Sequence, residues 1–237
     1  MNSIKYFVFY WELKALAPET MEMYTPNPQL YRHESAKKPS KTKPMNVLNY
    51  IAMCFILIIR DLIYPPKEIL SELPIRPGYQ ILDYGCGPGS YTIAAAELLE
   101  GTGMVFALDL HPYAIEDIHN AIKKRKLSNI QTISSDCETG LPSNSVDMIL
   151  LHYVFNDLKN SDPILKELHR ILKPQGILSF SEFNLKKISP KVSKNDLFQV
   201  MIKGRKTYSF MKTSNFSKNH IQDVLIWWKT TNYPSQQ

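Results

Sequence analysis

Apolar and polar positions along the middle of the chain follow two different periods. Five near-continuous apolar runs have the length of buried strands, and they cover residues 79–84, 103–109, 129–134, 145–151 and 177–182. Four segments have the pattern of helices, and they cover residues 65–73, 90–100, 112–126 and 162–172. Apolar strands separated by helices are typical of a parallel sheet covered on both faces. The sequence therefore predicts an α/β fold with a doubly wound, mostly parallel sheet.

The pattern is less regular after the fourth predicted helix. Residues 173–176, Lys-Pro-Gln-Gly, predict a turn that stops this helix. Beyond Glu182, residues 195–203 have the pattern of a helix and residues 206–212 that of a strand, but a second strand is not evident. The sequence therefore predicts an incomplete sheet edge on the C-terminal side.

These patterns divide the chain into three regions. Residues 1–44 contain linker-like stretches of proline and lysine and predict an appendage, residues 45–213 form the domain, and residues 214–237 form a tail. Near the start of the domain, residues 51–59 are nine consecutive apolar residues. Because a membrane span needs about 20 apolar residues, this run predicts a buried or interfacial helix that leads into the domain.

Charge is distributed unevenly along the 237 residues. The net charge is +3 over residues 1–44, −5 over residues 45–185 and +8 over residues 186–237. A basic end can attract nucleic acid phosphates or an anionic membrane surface, and a solvated face is the alternative. The three cysteines lie far apart and suggest neither a disulfide framework nor a metal site. We expect a cytoplasmic protein, with peripheral membrane contact left open.

A glycine-rich segment marks the end of the first predicted strand. Residues 83–92 read DYGCGPGSYT, with glycine at 85, 87 and 89. Glycine permits tight turns and close approach of the backbone to a ligand, and the helix that follows begins with unpaired N–H groups. The dinucleotide fingerprint Gly-x-Gly-x-x-Gly/Ala fails here, because Ser90 or Thr92 occupies its last position. The spacing therefore argues against a nicotinamide cofactor.

This segment and those after it resemble class I S-adenosylmethionine-dependent methyltransferases. The resemblance covers about residues 65–182 and rests on ILDYGCGPG (81–89), VFALD (105–109), SSDC (134–137) followed by Leu141-Pro142, DMILLH (147–152) and LKELHRILKPQGIL (165–178). Within the family, residues 150–152 and 168–176 are most similar to the quinone-biosynthesis and small-molecule group, methyltransferase type 11. The resemblance implies S-adenosyl-L-methionine as cofactor.

The resemblance also implies a set of cofactor-binding residues at the ends of the first three strands. These are Asp83, Gly85, Cys86, Gly87, Gly89, Asp109, Leu110, Asp136 and Cys137. Asp109 ends the second strand, where a carboxylate can accept both ribose hydroxyls; the alternative is a helix cap. Asp136 and the Cys137 N–H are expected beside the adenine. Asp83 is expected to orient the loop or the cofactor's ammonium group, and Cys86 to pack.

The segment after the fourth strand supplies the candidate catalytic residues, His152 and Tyr153. His152 is a candidate general base, and a hydrogen-bonded structural histidine is the alternative. The Asn/Asp-Pro-Pro-Tyr sequence of adenine and amide N-methyltransferases is absent here, which argues against those substrates. We expect methyl transfer to a small-molecule acceptor by direct in-line displacement, without a metal. The alternatives are an RNA or protein methyltransferase that uses the basic C-terminal region, and a non-catalytic cofactor-binding protein.

Overall fold

The computed structural model describes residues 43–158, 161–193 and 196–213. A seven-stranded sheet has the order β3-β2-β1-β4-β5-β7-β6. Strands β1 to β5 are parallel, and β7 lies antiparallel between β5 and β6. The strands are β1 (Gln80–Tyr84), β2 (Met104–Asp109), β3 (Ile130–Ser134), β4 (Val146–His152), β5 (Leu172–Ser181), β6 (Phe198–Lys203) and β7 (Tyr208–Lys212). The doubly wound α/β prediction is confirmed.

Six helices accompany the sheet within the described residues. They are α1 (Val47–Ile63), α2 (Pro66–Leu70), α3 (Ser90–Leu98), α4 (Pro112–Arg125), α5 (Ser161–Ile171) and α6 (Leu185–Ser193), and a 3₁₀ turn spans Phe155–Asp157. The four predicted helices correspond to α2, α3, α4 and α5. The proposed appendage and tail lie almost entirely outside the described residues, so the division into three regions stays a prediction.

Two apolar cores lie on opposite faces of the sheet because successive strand residues point to opposite sides. Leu82 and Ile149 belong to the core that α5 covers, which includes Leu165 and Leu168. Their neighbours Ile81 and Leu150 belong to the core that α2 and α3 cover. The continuous apolar runs of the sequence therefore reflect burial on both faces.

The predicted incomplete edge of the sheet is wrong. Residues 198–203 form β6, although the sequence pattern predicted a helix over 195–203, and the helix of this region is α6, which precedes it. Phe198 and Ile202 are buried while Gln199 and Lys203 are exposed, as expected for an edge strand with one covered face. The alternation is interrupted by the apolar Met201, where the pairing with β7 shifts register between Val200 and Ile202, so the sequence pattern alone did not reveal the strand.

The predicted turn at residues 173–176 is also placed differently. Val146 pairs with Leu172 and Met148 pairs with Ile177, so residues 173–176 bulge out within β5. The strand therefore begins directly after α5, and the polar residues project from it without ending the pairing.

Helix α1 contains the apolar run that the sequence analysis singled out. Tyr50, Cys54 and Ile58 are buried against Ala114 of α4. The opposite side of α1 is apolar but exposed, and it carries Leu48, Ile56, Leu62 and Ile63. Among the described helices, none combines the length and hydrophobicity needed to cross a bilayer.

Candidate active site

The glycine loop joins β1 to α3 at the carboxyl ends of the parallel strands. The N–H groups of Gly85 and Cys86 donate to the Leu108 carbonyl oxygen at 2.8 and 3.0 Å, which attaches the loop to the end of β2. The Gly89 N–H donates to the Cys86 carbonyl at 3.0 Å. These bonds hold the loop in a tight turn at the point where the strand order reverses, which is the usual ligand position of such sheets.

Each of the three glycines has a positive φ: +72° at Gly85, +50° at Gly87 and +95° at Gly89. A Cβ at Gly85 would collide with the Val154 side chain, and a Cβ at Gly89 would collide with Ile118. At Gly87, the nearest atom to such a Cβ is Leu57 Cδ1 of α1, at 3.7 Å. Gly85 and Gly89 are therefore required by the protein's own packing as well as by the backbone conformation.

Asp109 connects the glycine loop to the segment after β2. Its Oδ2 accepts from the Gly87 N–H at 2.9 Å, and its Oδ1 accepts from the His111 N–H at 2.7 Å. Burial raises the pKa of Asp109, and these hydrogen bonds oppose the shift. Leu110, which lies between Asp109 and His111 in the sequence, is half-buried. The carboxylate that sequence reasoning assigned to a ribose thus also shapes the loop.

Asp83 is buried at the end of β1, where its Oδ2 accepts from the Thr92 hydroxyl at 2.6 Å. Burial raises the pKa of Asp83 to about 6, and the Thr92 hydrogen bond opposes this. In the next part of the loop, Cys86 packs against Ala107 and Ile118, and burial raises the pKa of its thiol. Asp83 therefore orients the first turn of α3, and Cys86 fills space.

The segment after β3 lies beside Asp109, because the Ser135 N–H donates to the Asp109 carbonyl at 3.2 Å. The Tyr84 hydroxyl donates to the Asp136 carbonyl at 2.7 Å. The Cys137 N–H, expected to reach an adenine nitrogen, here donates to Ser135 Oγ at 3.2 Å. The structure thus brings the ends of β2 and β3 together, as the sequence reasoning required.

Helix α1 lies across this loop, which the sequence reasoning missed. The Tyr50 ring stacks on His111 with centroids 4.3 Å apart, and the Tyr50 hydroxyl donates to Asp117 Oδ2 at 2.7 Å. The N-terminal end of α1 thus lies beside the segment after Asp109. Near its C-terminal end, Arg60 Nη2 donates to Ser90 Oγ at 3.0 Å, at the start of α3. A signal was present: Arg60 and Asp61, charged residues, interrupt an apolar helix that continues to Ile63.

The two candidate catalytic residues lie at the end of β4. His152 is buried, and its Nε2 lies 2.8 Å from Ser179 Oγ on β5. Burial, together with the nearby Arg60 charge, lowers the pKa of His152 to about 3, so this imidazole is neutral at physiological pH. Tyr153 has a φ of +56°, a left-handed conformation that is uncommon for an aromatic residue and typical of functional loops. Its N–H donates to the Ser181 carbonyl at 2.8 Å.

Glu182, at the end of β5, holds the loop after β4 in place and was also missed. Its Oε1 accepts from the Phe155 N–H at 2.9 Å, and its Oε2 accepts from Asn156 Nδ2 at 3.1 Å. Val154 of the same loop packs against Gly85. The loop that carries the candidate acceptor residues therefore lies directly against the glycine loop. Over the described ranges, no group of three or more His, Cys, Asp or Glu side chains is arranged to hold a metal ion.

Known proteins with similar sequences include methyltransferases. A family model described as a methyltransferase domain matches residues 75–229. The demethylmenaquinone methyltransferase of Geobacillus stearothermophilus is 30% identical over 112 residues, which cover 47% of this chain and 48% of the relative. A demethylmenaquinone methyltransferase of Staphylococcus epidermidis is 32% identical over 114 residues, covering 47% of this chain and 46% of the relative. The match thus spans about half the length of these curated relatives.

Solved structures agree on the fold. A SAM-dependent methyltransferase from Aquifex aeolicus superposes with a TM-score of 0.58 at 22% identity, covering 64% of this chain and 92% of that chain. TrmN from Thermus thermophilus gives a TM-score of 0.51 at 21% identity, covering 62% of this chain and 48% of that chain. The sheet has the class I methyltransferase fold, and S-adenosylmethionine is the cofactor of this family. Because the family model spans more than half of the chain, the chain belongs to the methyltransferase-domain family.

Proposed function

We propose that this protein transfers a methyl group from S-adenosylmethionine to a small, apolar or amphipathic acceptor. One observation carries the proposal: Val154, in the loop after β4, packs directly on Gly85 of the glycine loop. An acceptor held by the loop after β4 would therefore lie next to a cofactor held by the glycine loop, as in-line displacement requires.

The residues around the loop fit the cofactor by the chemistry of their donors and acceptors. The glycines of the loop leave room for close approach of a ligand, and Gly89 caps α3 without a side-chain hydrogen bond, so the N–H groups of the first turn of α3 would face the cofactor. Asp109 would accept ribose hydroxyls, and Asp136 with the Cys137 N–H would lie beside the adenine. Asp83, with Gly85, Cys86 and Gly87, would form the wall around the methionine part.

S-adenosylmethionine supplies a methyl group already activated on a sulfonium, so this chain needs no covalent nucleophile. An acceptor atom that has released any proton to solvent on binding would donate an electron pair to the methyl carbon, and the carbon–sulfur bond would break with its pair on sulfur. His152 is a weak base because burial and Arg60 lower its pKa to about 3. We therefore assign His152 and Tyr153 to holding the acceptor, while the loops exclude water.

The small-molecule acceptor is supported by the relatives, which are named for demethylmenaquinone. It is also supported by the aromatic surroundings of the loop after β4. Phe183 is 69% exposed and packs edge-on against Tyr153, with ring centroids 4.9 Å apart. An exposed phenylalanine beside a candidate acceptor site suits an apolar, planar substrate.

Two further expectations remain proposals. The exposed apolar side of α1 ends beside Tyr64, and Lys206 Nζ lies 3.6 Å from the Tyr64 ring centroid. Apolar side chains with a neighbouring lysine suit peripheral contact with an anionic membrane surface, where a lipophilic acceptor would be met. The cytoplasmic location remains a prediction.

The +8 charge of residues 186–237 keeps an RNA or protein substrate as the second candidate.

A labelled-methyl transfer screen tests the proposal. The full chain is incubated with methyl-labelled S-adenosylmethionine and, separately, with reduced quinones, simple phenols, small thiols, lipid vesicles and RNA. We expect label in a quinol or phenol and none in RNA. Transfer to RNA alone would favour the second candidate. Cofactor binding without transfer to any acceptor would favour a non-catalytic protein.

A further inference from the structure

Four side chains form a compact cluster beyond the ends of β1 and β4, and we call Arg60, Tyr91, His152 and Tyr153 the Arg60 cluster. The Arg60 guanidinium carbon lies 5.0 Å from the Tyr91 ring centroid and 4.7 Å from that of Tyr153. The His152 ring meets Tyr91 edge-on, with centroids 4.7 Å apart. The cluster thus joins α1, the first turn of α3 and the end of β4 beside the glycine loop.

Two polar atoms of this cluster are buried without a hydrogen-bond partner. They are the Tyr91 hydroxyl and His152 Nδ1, in side chains that are 4% and 5% exposed. A buried polar atom without a partner is unfavourable, so native proteins rarely keep one unless a ligand or water completes it. Two such atoms in neighbouring side chains, next to the glycine loop, indicate a site for a polar ligand atom.

The hydrogen bonds around the cluster determine what kind of atom fits. His152 Nε2 faces the Ser179 hydroxyl at 2.8 Å, and if that hydroxyl donates to Nε2, the proton of the neutral ring is on Nδ1. The Tyr91 hydroxyl is also a donor, and burial raises its pKa, so it keeps its proton. Two neutral donors, on rings that contact each other edge-on, then lie in one cluster with a guanidinium, a combination that suits an anionic oxygen.

The charges facing the region agree with this. Arg60 Nε donates to Asp61 Oδ1 at 2.8 Å, so a carboxylate balances the guanidinium, and Asp83 lies nearby with a raised pKa. The neutral His152 adds no positive charge. An arriving oxyanion would therefore meet a guanidinium that already donates to Asp61 and, through Nη2, to Ser90 Oγ at 3.0 Å.

We propose that Arg60, supplied by α1, determines acceptor specificity: with the Tyr91 hydroxyl and His152 Nδ1 it binds the ionised hydroxyl of a planar acceptor. This inference rests on the proposed function and deepens it by naming the residue that selects the acceptor's charge state. The acceptor hydroxyl releases its proton to solvent on binding, and the guanidinium stabilises the resulting anion. A protonated amine in the same place would be repelled.

The test uses 4-nitrophenol, whose phenol and phenolate forms absorb differently, so no methyl transfer is needed. The full chain is titrated with the probe across pH, with S-adenosylhomocysteine present. We expect the bound probe to ionise at least about tenfold more readily than the free probe, that is, one pKa unit lower. Arg60→Met should abolish this shift, and Arg60→Lys should keep part of it.

Two further variants keep the test interpretable. Arg60→Met/Asp61→Asn removes both charges together, so Asp61 is not left buried and uncompensated, and it should also lose the shift. Arg170→Met, which removes an exposed arginine paired with Glu167 on α5, should leave the shift unchanged. Absence of probe binding, an unshifted bound probe, or a shift that survives in both Arg60→Met variants would overturn the inference. Because the readout is independent of methyl transfer, failure of the proposed function would be recognised separately.

Discussion

At the scale of single residues, the glycine loop shows how one sequence feature serves two purposes. Gly85 and Gly89 have positive φ angles and also face side chains that leave no room for a Cβ. The absence of a side chain at Gly85 leaves room for Val154, so the loop after β4 packs against the glycine loop. The conformational cost and the packing cost of replacing such a glycine are separable, because Gly101 has a similar φ of +75° with nothing within 4 Å of its Cβ position.

We expect Gly85→Ala to destabilise the protein considerably more than Gly101→Ala. Left-handed alanine costs roughly 1–2 kcal/mol at either position, and the collision with Val154 adds roughly 1–3 kcal/mol at Gly85 alone. Denaturant unfolding measures both. Val154→Ala combined with Gly85→Ala should recover part of the difference, and equal losses in the two single variants would contradict the packing argument.

Asp109 is the second residue whose role can be tested singly. If Asp109 binds the ribose as proposed, Asp109→Ala should weaken S-adenosylmethionine binding by more than about 1.4 kcal/mol, a tenfold change, because the Gly87 N–H and the proposed ribose hydroxyls would both lose their acceptor. Calorimetry measures the affinity. Asp147→Ala is the matched control, since that carboxylate accepts from the Gln80 N–H at the start of β1, away from the site. Unchanged affinity in Asp109→Ala would refute the assignment.

At the scale of elements, α1 is the helix that packs beside the glycine loop. It contacts the segment after β2 through Tyr50 and α3 through Arg60, and Leu57 is the residue that a Cβ at Gly87 would meet. A helix attached by a few polar contacts opens locally more readily than a core strand. The Tyr50–Asp117 hydrogen bond is the contact best suited to a test, because a phenylalanine keeps the ring stacked on His111.

We expect Tyr50→Phe to reduce amide hydrogen-exchange protection across residues 47–63 by roughly tenfold, corresponding to the loss of about 1.4 kcal/mol for one hydrogen bond to a carboxylate. Exchange measured by mass spectrometry should change little in β1 and β4. Tyr79→Phe, which removes a hydroxyl just before β1, is the control and should leave α1 protected. Loss of protection throughout the protein would instead indicate global destabilisation.

At the scale of the whole molecule, the two-sided burial of the sheet places a carboxyl group in the interior. Asp83 is 3% exposed, and burial raises its folded pKa from 3.8 to about 6. Between these values the folded state binds a proton more tightly than the unfolded state. The stability that this group contributes is therefore complete below about pH 4 and is lost as the pH rises through about 6.

We expect Asp83→Asn to become more stable relative to the unsubstituted protein as the pH rises from 4 to 7. At about 1.4 kcal/mol per pKa unit, and with part of the titration lying below pH 4, the difference in unfolding free energy should change by roughly 2.4 kcal/mol over this range. Urea unfolding at several pH values measures it, and the comparison cancels titrations common to both proteins. A difference that is constant with pH would show that Asp83 is not titrating in this window.

The sequence by itself determined the first five strands, four of the helices and the glycine loop, because each has a short-range signature of period, turn residues or spacing. It did not determine β6, whose alternation is interrupted by the apolar Met201 and by a register shift between Val200 and Ile202, or the bulge at 173–176. Tertiary structure alone decided that Arg60 of α1 lies against Tyr91 and Tyr153. An amphipathic pattern shows that a helix has a buried side, but which distant residues that side meets depends on how the layers pack.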